Sequence, residues 1–311
     1  SGPCLTPWLD QGAALPWRDP APAPDHRLRA ALTVGGLYVG FSTWAYFAWY
    51  RDVESLDEFG WGGDGWFGRD TYAGGADKLG HGWATYTLAR ATTGVLRGGG
   101  FGRTSSALAG AALSWALFLA VEVKDGFYYK FSPGDLVFNS AGAALAAALA
   151  LAPQLDRLFD FRVQYWPSAE YLGLWRGEYN GPKKGNSLNV AEDYSGQTYV
   201  LALHLGAIPR PRATPDVVAT ALDYLDIGVG FATRRYKPDA PAGAIPSQHL
   251  TVGVTLDLQH VLARVLGGRP SRAARRARAF GDTVFEYLSP PFALVPVVTL
   301  DRTAAGPAPP Q

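Results

Sequence analysis

The sequence predicts an α+β protein, in which a four-helix, membrane-associated bundle precedes a smaller antiparallel β-rich domain. Between residues 30 and 151, long charge-free segments alternate with short polar clusters and glycine-rich breaks, a pattern typical of closely packed helices. After Pro153, apolar residues alternate with small or polar residues, the period-two pattern of half-buried strands. We therefore divide the chain into an extended N-terminal arm (1–27), the helical bundle (28–155), the β-rich domain (156–302) and a loose tail (303–311).

The composition limits the classes of function. The formal net charge is +1, so the overall field gives no reason to expect a nucleic-acid partner. Charged residues make up 18% of the chain and aromatic residues 13%, which favours contact with a membrane interface, although a soluble protein with a large core is the alternative. The single cysteine, Cys4, excludes an internal disulfide and a cysteine-based zinc site.

The first predicted helix covers Ala30 to Tyr50. These residues carry no charge and are flanked by Arg29 and Arg51, and their number fits the roughly 20 residues needed to cross a bilayer. The helix ends in an aromatic run typical of membrane interfaces, although a buried core helix would share its length and composition. The Gly, Trp and Asp-rich segment 53–76 is expected to be an ordered cap, because its glycines permit tight turns and its aromatic rings need packing partners.

Three further helices are predicted, at 77–97, 104–125 and 132–153. Thr104 is the expected N-cap of the third helix. Ser132 is the expected cap of the fourth, since Pro follows it directly and Asp follows three residues later. Small residues in the last two helices predict close helix contacts; they include Gly110, Ala111, Ala112, Gly142, Ala143 and Ala144. The strands are expected at 225–231 and 250–258, with weaker candidates at 198–205 and 293–300.

Polar residues are expected to meet at one end of this bundle. In an up-down arrangement, the second and fourth helices begin where the third one ends. Within each helix, the polar residues lie three or four positions apart and so share a face. The expected polar layer comprises Asp77, Lys78, His81, Glu122, Lys124, Asp125, Asp135 and Asn139.

Three interpretations of this layer remain open. In the first, it is a buried polar network that fixes helix register, with the lysines neutralising the acids. In the second, His81 with Asp77 and Glu122 binds a divalent metal ion. In the third, His81 is an acid or base tuned by nearby carboxylates (Asp77, Glu122 or Asp135), and Lys78 contacts an anionic group such as a lipid phosphate.

The same residues carry a resemblance to a known family. Residues 66–81, which end in Asp77-Lys78-Leu79-Gly80-His81, resemble a family of bacterial envelope proteins of unknown function typified by the predicted lipoprotein YfiM. The segments 122–125 and 132–142 are similar to further motifs of that family, and 192–199 is similar to a segment of its longer members. VanZ-like membrane proteins share the Asp-Lys-x-x-His helix start and a late Asp-x-x-x-Asn-x-x-Gly helix. The resemblance implies an envelope location and a shared site, without a reaction.

The attachment to the membrane is expected to differ from that family's pattern. Pro3 precedes Cys4, whereas a small residue normally precedes a lipidated cysteine, so we expect Cys4 to carry no lipid if Ser1 is the mature terminus. The absence of an initiator Met is consistent with a removed export signal.

These observations predict a non-enzymatic, membrane-associated envelope protein that is a structural or accessory subunit of a complex or binds lipid. The alternative is a hydrolase or transferase acting on a phosphorylated or lipid-linked envelope substrate. Membrane lipid, and other envelope proteins, are the expected partners, and no cofactor is expected. We expect His204, His249 and His260 to be isolated packing or surface residues. The arginines between 269 and 278 are interpreted as a solvated helix face or as a contact for anionic head groups.

Overall fold

The computed structural model describes residues 26–62, 65–69, 71–178, 189–236, 240–241, 243–267, 271–304 and 306. The arm up to residue 25, including Cys4, lies outside the described residues, as do most of the tail and Asp64, Asp70 and Arg269.

The first part of the chain is helical. Helix α1 covers Arg27–Ala45 and continues as a π-helical turn, Tyr46–Tyr50. The next three helices are α2 (Ala76–Gly98), α3 (Arg103–Tyr128) and α4 (Pro133–Leu151). Ser132 caps α4 by accepting a hydrogen bond from the Asp135 amide, as predicted. The predicted cap of α3 is wrong, because the cap is Gly102 and Thr104 lies inside the helix.

Helices α2, α3 and α4 pack against one another at short range. A Cβ atom on Gly142 of α4 would lie 2.1 Å from the carbonyl oxygen of Gly82 in α2. A Cβ atom on Gly110 of α3 would lie 2.6 Å from the carbonyl oxygen of Ala89, also in α2. Two of the small residues singled out in the sequence therefore allow close backbone contact.

Helix α1 packs on both α2 and α3. The hydroxyl of Tyr38 lies 3.2 Å from that of Thr92 in α2. The Phe41 ring lies 5.4 Å from the Phe118 ring in α3, centroid to centroid. The end of α1 lies near the end of α3, because the Tyr50 hydroxyl donates to Asp125.

The segment before α2 is an ordered turn. Gly74 (φ 62°) and Gly75 (φ 93°) adopt left-handed conformations that favour glycine, and Gly75 caps α2. Gln248 of the second part donates to the Gly74 carbonyl at 2.7 Å, and Phe67 packs its ring on Phe231 at 5.3 Å. These contacts fix the start of α2 relative to the second part of the chain.

The second part contains a six-stranded sheet among the described residues, with short helices around it. Its strands are β1 (Phe159–Tyr165), β2 (Gln197–His204), β3 (Leu225–Arg234), β4 (Ser247–Leu256), β5 (Leu288–Ser289) and β6 (Val295–Thr303). The order is β5-β1-β2-β3-β4-β6, and the pairs are antiparallel except for β1 with β5. The helices are α5 (Pro153–Asp156), α6 (Ala169–Trp175), α7 (Asp216–Asp223), α8 (Leu258–Leu266) and α9 (Arg272–Tyr287). The four predicted strands are present, whereas β1 and β5 were not expected.

A buried ionic network joins the two parts. Arg90 of α2 donates to Glu286 of α9 at 2.6 Å and contacts Asp156 of α5 at 2.7 Å. All three side chains are buried, so each charge depends on its partner. Tyr199 of β2 and Val163 of β1 belong to a hydrophobic cluster that also contains Ala76 of α2.

Candidate functional site

Side chains from three helices meet at the end of the helical part. Asp77, Lys78 and His81 lie in the first turns of α2, and Glu122 lies near the end of α3. The start of α4 completes the cluster, which comprises Asp77, Lys78, His81, Glu122, Asp135 and Asn139. The helix topology predicted from the sequence also places these six residues together. We call them the His81 cluster.

Lys78 is the central cation of the cluster. Its Nζ lies 3.1 Å from Asp77 Oδ2 and 2.7 Å from Asp135 Oδ1, which connects α2 to α4. The Lys78 residue is only 1% exposed. Its ammonium group is therefore enclosed by carboxylates and is not open to an anion arriving from solvent.

His81 lies between two carboxylates. Its Nδ1 is 3.2 Å from Glu122 Oε1, and its Nε2 is 3.8 Å from Asp77 Oδ1. Within the described part of the chain, neither ring nitrogen makes an aligned hydrogen bond, and Nδ1 is inaccessible to solvent. The side chain is 19% exposed, so the imidazole is the most accessible ionisable group of the cluster.

The surroundings favour a proton on His81. Burial by itself would lower the pKa of His81, but the charges of Asp135, Asp77 and Glu122 outweigh it and raise the pKa to about 9. Burial raises the pKa of Glu122, and Asp135 adds to the shift while His81 opposes it. The cluster therefore holds more protons near neutral pH than isolated side chains would.

Asn139 and Thr85 hold the Glu122 carboxylate. Asn139 Nδ2 donates to Glu122 Oε1 at 3.3 Å, and Thr85 donates to Asn139 Oδ1 at 2.9 Å. All three side chains are buried. This chain of hydrogen bonds crosses α2, α3 and α4 and fixes their relative register.

Asp125 and Lys124 lie outside this arrangement. Asp125 Oδ1 accepts a hydrogen bond from the Tyr50 hydroxyl at 2.6 Å, and burial raises the pKa of Asp125 to about 6. The ammonium of Lys124 lies 4.1 Å from the centroid of the Tyr50 ring and also faces Tyr46 and Tyr128. The expectation that Lys124 belongs to the polar layer is thus wrong, because its side chain packs on aromatic faces.

Sequence reasoning missed Tyr194 as a member of the site. Its hydroxyl donates to Asp77 Oδ1 at 2.6 Å, and its side chain is buried. Tyr194 lies within the segment 192–199, whose family resemblance was the one available signal. The second part of the chain therefore contributes directly to the His81 cluster.

A second cluster surrounds His204, which was expected to be isolated. Its Nε2 lies 3.2 Å from Asp160, and its Nδ1 lies 2.9 Å from Asp226 and 3.2 Å from Asp257. Arg162 completes the set by donating to Asp160 and Asp226. Burial opposes charge on His204, but the three carboxylates outweigh it and hold its pKa well above 6.5. The expectation was wrong because residues far apart in sequence meet across adjacent strands.

The two histidine clusters differ in what they could bind. Donor atoms of Asp77, His81 and Asp135 lie within 4.8 Å of one another, as do those of His204, Asp226 and Asp257. Carboxylates already face both ring nitrogens of His204 at hydrogen-bonding distance, and Arg162 occupies an adjacent position. The His204 cluster is thus a satisfied ion network, whereas the ring nitrogens of His81 lack aligned partners.

All residues of the His81 cluster lie in a segment that matches the model of a known protein family. Residues 63–151 match the family model described as "Predicted periplasmic lipoprotein (DUF2279)". The match covers less than a third of the chain and supports an exported, envelope-associated protein of unknown function. No curated protein and no solved structure matches the chain. The expected likeness to YfiM and to VanZ-like proteins in particular remains a prediction.

Proposed function

We propose that this protein is a membrane-associated structural or accessory protein of the bacterial envelope, whose first four helices form a bundle in contact with lipid. Apolar side chains on the outward surface of both the helical part and the sheet carry this proposal. Large exposed apolar surfaces are uncommon on soluble monomers and are typical of membrane or protein contacts. The proposal requires contact with lipid and does not require any helix to cross the bilayer.

Helix α1 has two clearly different faces. Ala30, Val34 and Ala45 are buried on one face. On another face, Leu28, Leu32 and Val39 are 73%, 66% and 67% exposed. An amphipathic helix of a soluble protein would carry polar residues at these exposed positions, so the apolar outer face supports contact with lipid.

Helices α3 and α4 also expose apolar side chains. Both are long and apolar enough to cross a membrane by length and composition, which is weak support alone because a buried core helix passes the same test. In the most apolar stretch of each helix, however, only 33% of the residues of α3 and 44% of those of α4 are buried. Their apolar composition therefore exceeds what packing within the chain explains. Exposed apolar residues of these helices include Leu108, Leu113, Phe127 and Val137.

The sheet has an exposed apolar surface of its own. One row of directly paired residues crosses four strands, and its members are between 42% and 54% exposed: Leu201, Val229, Val252 and Val298. Leu250 and Leu300, paired in a neighbouring row, are also exposed. Directly paired residues lie on the same face of a sheet, so these side chains form a continuous apolar surface.

The His81 cluster has a structural role in this proposal. It links α2, α3 and α4, and through Tyr194 it links them to the second part of the chain. The alternative, a hydrolase or transferase using His81, requires a cation to hold an anionic substrate. Lys78 is enclosed by Asp77 and Asp135, and this favours the non-enzymatic role.

Fractionation of the native protein tests the lipid contact. The experiment uses a Cys4→Ser background, so that a lipid attached to that residue cannot hold the protein on the membrane. We expect this protein to remain in the membrane fraction after lysis without detergent, and after a high-salt wash. The double variant Leu32→Glu/Val39→Glu should shift towards the soluble fraction, because charges in contact with lipid are costly.

The control is Ser105→Glu, which adds a negative charge at an exposed polar position in the first turn of α3, where an acid is favourable. This variant should fractionate like its parent. A soluble Cys4→Ser protein, or a double variant that stays membrane-bound as firmly as its parent, would contradict the proposal.

A further inference from the structure

The His81 cluster carries more acidic than basic groups. Asp77, Glu122 and Asp135 supply three carboxylates, whereas Lys78 supplies one ammonium. With a neutral imidazole and ionised acids, the cluster has a formal charge of −2. A buried excess of charge is costly, so bound protons or a bound cation must compensate for it.

The donor atoms converge on one small region. Single atoms of Asp77, His81 and Asp135 all lie within 4.8 Å of one another. Metal–ligand bonds of about 2.1 Å place neighbouring donors on a tetrahedral ion about 3.4 Å apart. The Nε2 atom of His81 lies 3.8 Å from Asp77 Oδ1, so small side-chain rotations would bring the donors to coordination distance.

The orientation of His81 provides an independent observation. Its buried Nδ1 lies 3.2 Å from Glu122 Oε1 without making an aligned hydrogen bond, and its Nε2 faces Asp77 beyond hydrogen-bond distance. Metal-ligating histidines commonly bind the ion through one ring nitrogen and donate the other N–H to a carboxylate. Glu122 occupies the position of that carboxylate, and Asn139 holds it there.

We propose that Asp77, His81 and Asp135 bind one divalent first-row transition-metal ion, with Glu122 orienting the imidazole. An imidazole combined with carboxylate oxygens suits Zn²⁺ or Mn²⁺ better than Ca²⁺, which takes oxygen ligands. A charge of +2 balances the excess of −2, while Lys78 keeps its contacts with Asp77 Oδ2 and Asp135 Oδ1. The His81 side chain is 19% exposed, which makes it the most accessible side chain of the site.

Metal binding to the full-length chain tests this inference. The protein is purified in detergent without an affinity tag, stripped with EDTA, and dialysed against ZnCl₂ or MnCl₂. The bound metal is then measured by elemental mass spectrometry, and the affinity by calorimetry. We expect one ion per chain, and a loss of affinity of at least 10-fold in His81→Gln and in Asp135→Asn.

The matched control is His249→Ala. His249 also pairs with an aspartate, with 2.7 Å between its Nδ1 and Asp301, but it is only half-buried on β4 and its partner is exposed. This variant should bind one ion with unchanged affinity. Melting curves in EDTA establish that each variant folds, and added Zn²⁺ should raise the melting temperature of the parent and the control only.

Two results would overturn the inference. The first is a folded parent protein that binds neither ion. The second is binding that His81→Gln and Asp135→Asn leave unchanged, or that His249→Ala weakens equally. If either variant fails to fold, the parent's stoichiometry and a Co²⁺ absorption spectrum still decide whether a nitrogen and oxygen site exists.

Discussion

The close contact between α2 and α4 predicts opposite effects for two Gly→Ala substitutions. A Cβ atom at Gly142 would lie 2.1 Å from the Gly82 carbonyl oxygen, more than 1 Å inside normal contact, and this backbone atom cannot rotate away. Forcing helices apart in a packed interior costs about 3 kcal/mol. Alanine recovers about 1 kcal/mol of helix propensity, so Gly142→Ala should lower the free energy of unfolding by about 2 kcal/mol.

Gly94 provides the control within α2. A Cβ atom there would meet nothing within 4 Å, and the residue is exposed. Gly94→Ala should therefore raise the free energy of unfolding by about 0.5–1 kcal/mol. Chemical denaturation in detergent, followed by circular dichroism, measures both variants. Equal stability of the two variants would refute the close helix contact on which the geometry of the His81 cluster depends.

Two buried ion networks yield further predictions. Arg90→Met leaves the carboxylates of Glu286 and Asp156 without their cation. It should lower the free energy of unfolding, measured by denaturant titration, by about 3 kcal/mol. An unchanged denaturation midpoint would contradict the network. The pKa of His204 is raised on folding, so its stabilising contribution is complete below pH 6.5 and falls as pH rises towards its folded pKa. The stability difference between the parent and His204→Gln should thus shrink by up to about 1.4 kcal/mol per pH unit above pH 6.5, and a constant difference from pH 5 to 9 would refute this.

Local sequence signals predicted the helical part well. The Ser132-Pro133 cap is a short-range pattern that needs no distant partner, and the structure has α4 where that pattern placed it. The caps of α2 and α3 were harder to predict from the sequence, because Gly75 and Gly102 have no side-chain oxygen and cap through their backbone conformation. Strand β1 was overlooked, although Phe159, Phe161, Val163 and Tyr165 alternate with polar residues in the period-two pattern of a strand. What the sequence does not show is that its polar residues Asp160 and Arg162 are buried, because the ion pair of Arg162 with Asp226 joins β1 to a strand distant in sequence.

In the site, too, local signals were predictable, whereas contacts that depend on distant residues were not. Helix spacing and topology brought Asp77, Glu122 and Asp135 together, because each lies at a helix end whose position follows from an up-down arrangement. Lys124 was misplaced because spacing alone does not show that aromatic rings draw its ammonium away. The role of Tyr194 could not be derived, since it depends on how the sheet packs against α2.

Spin-label accessibility tests most directly whether the apolar outer surfaces contact lipid. Single cysteines are introduced in the Cys4→Ser background at Val39 on α1, at Val252 on the sheet and, as a control, at exposed Ala213. The labelled proteins are reconstituted in bilayers, and collisions with oxygen, which concentrates in lipid, are compared with those of a water-soluble nickel complex. We predict that oxygen dominates at residues 39 and 252 and that the nickel complex dominates at 213. Dominance of the nickel complex at all three positions would contradict the account.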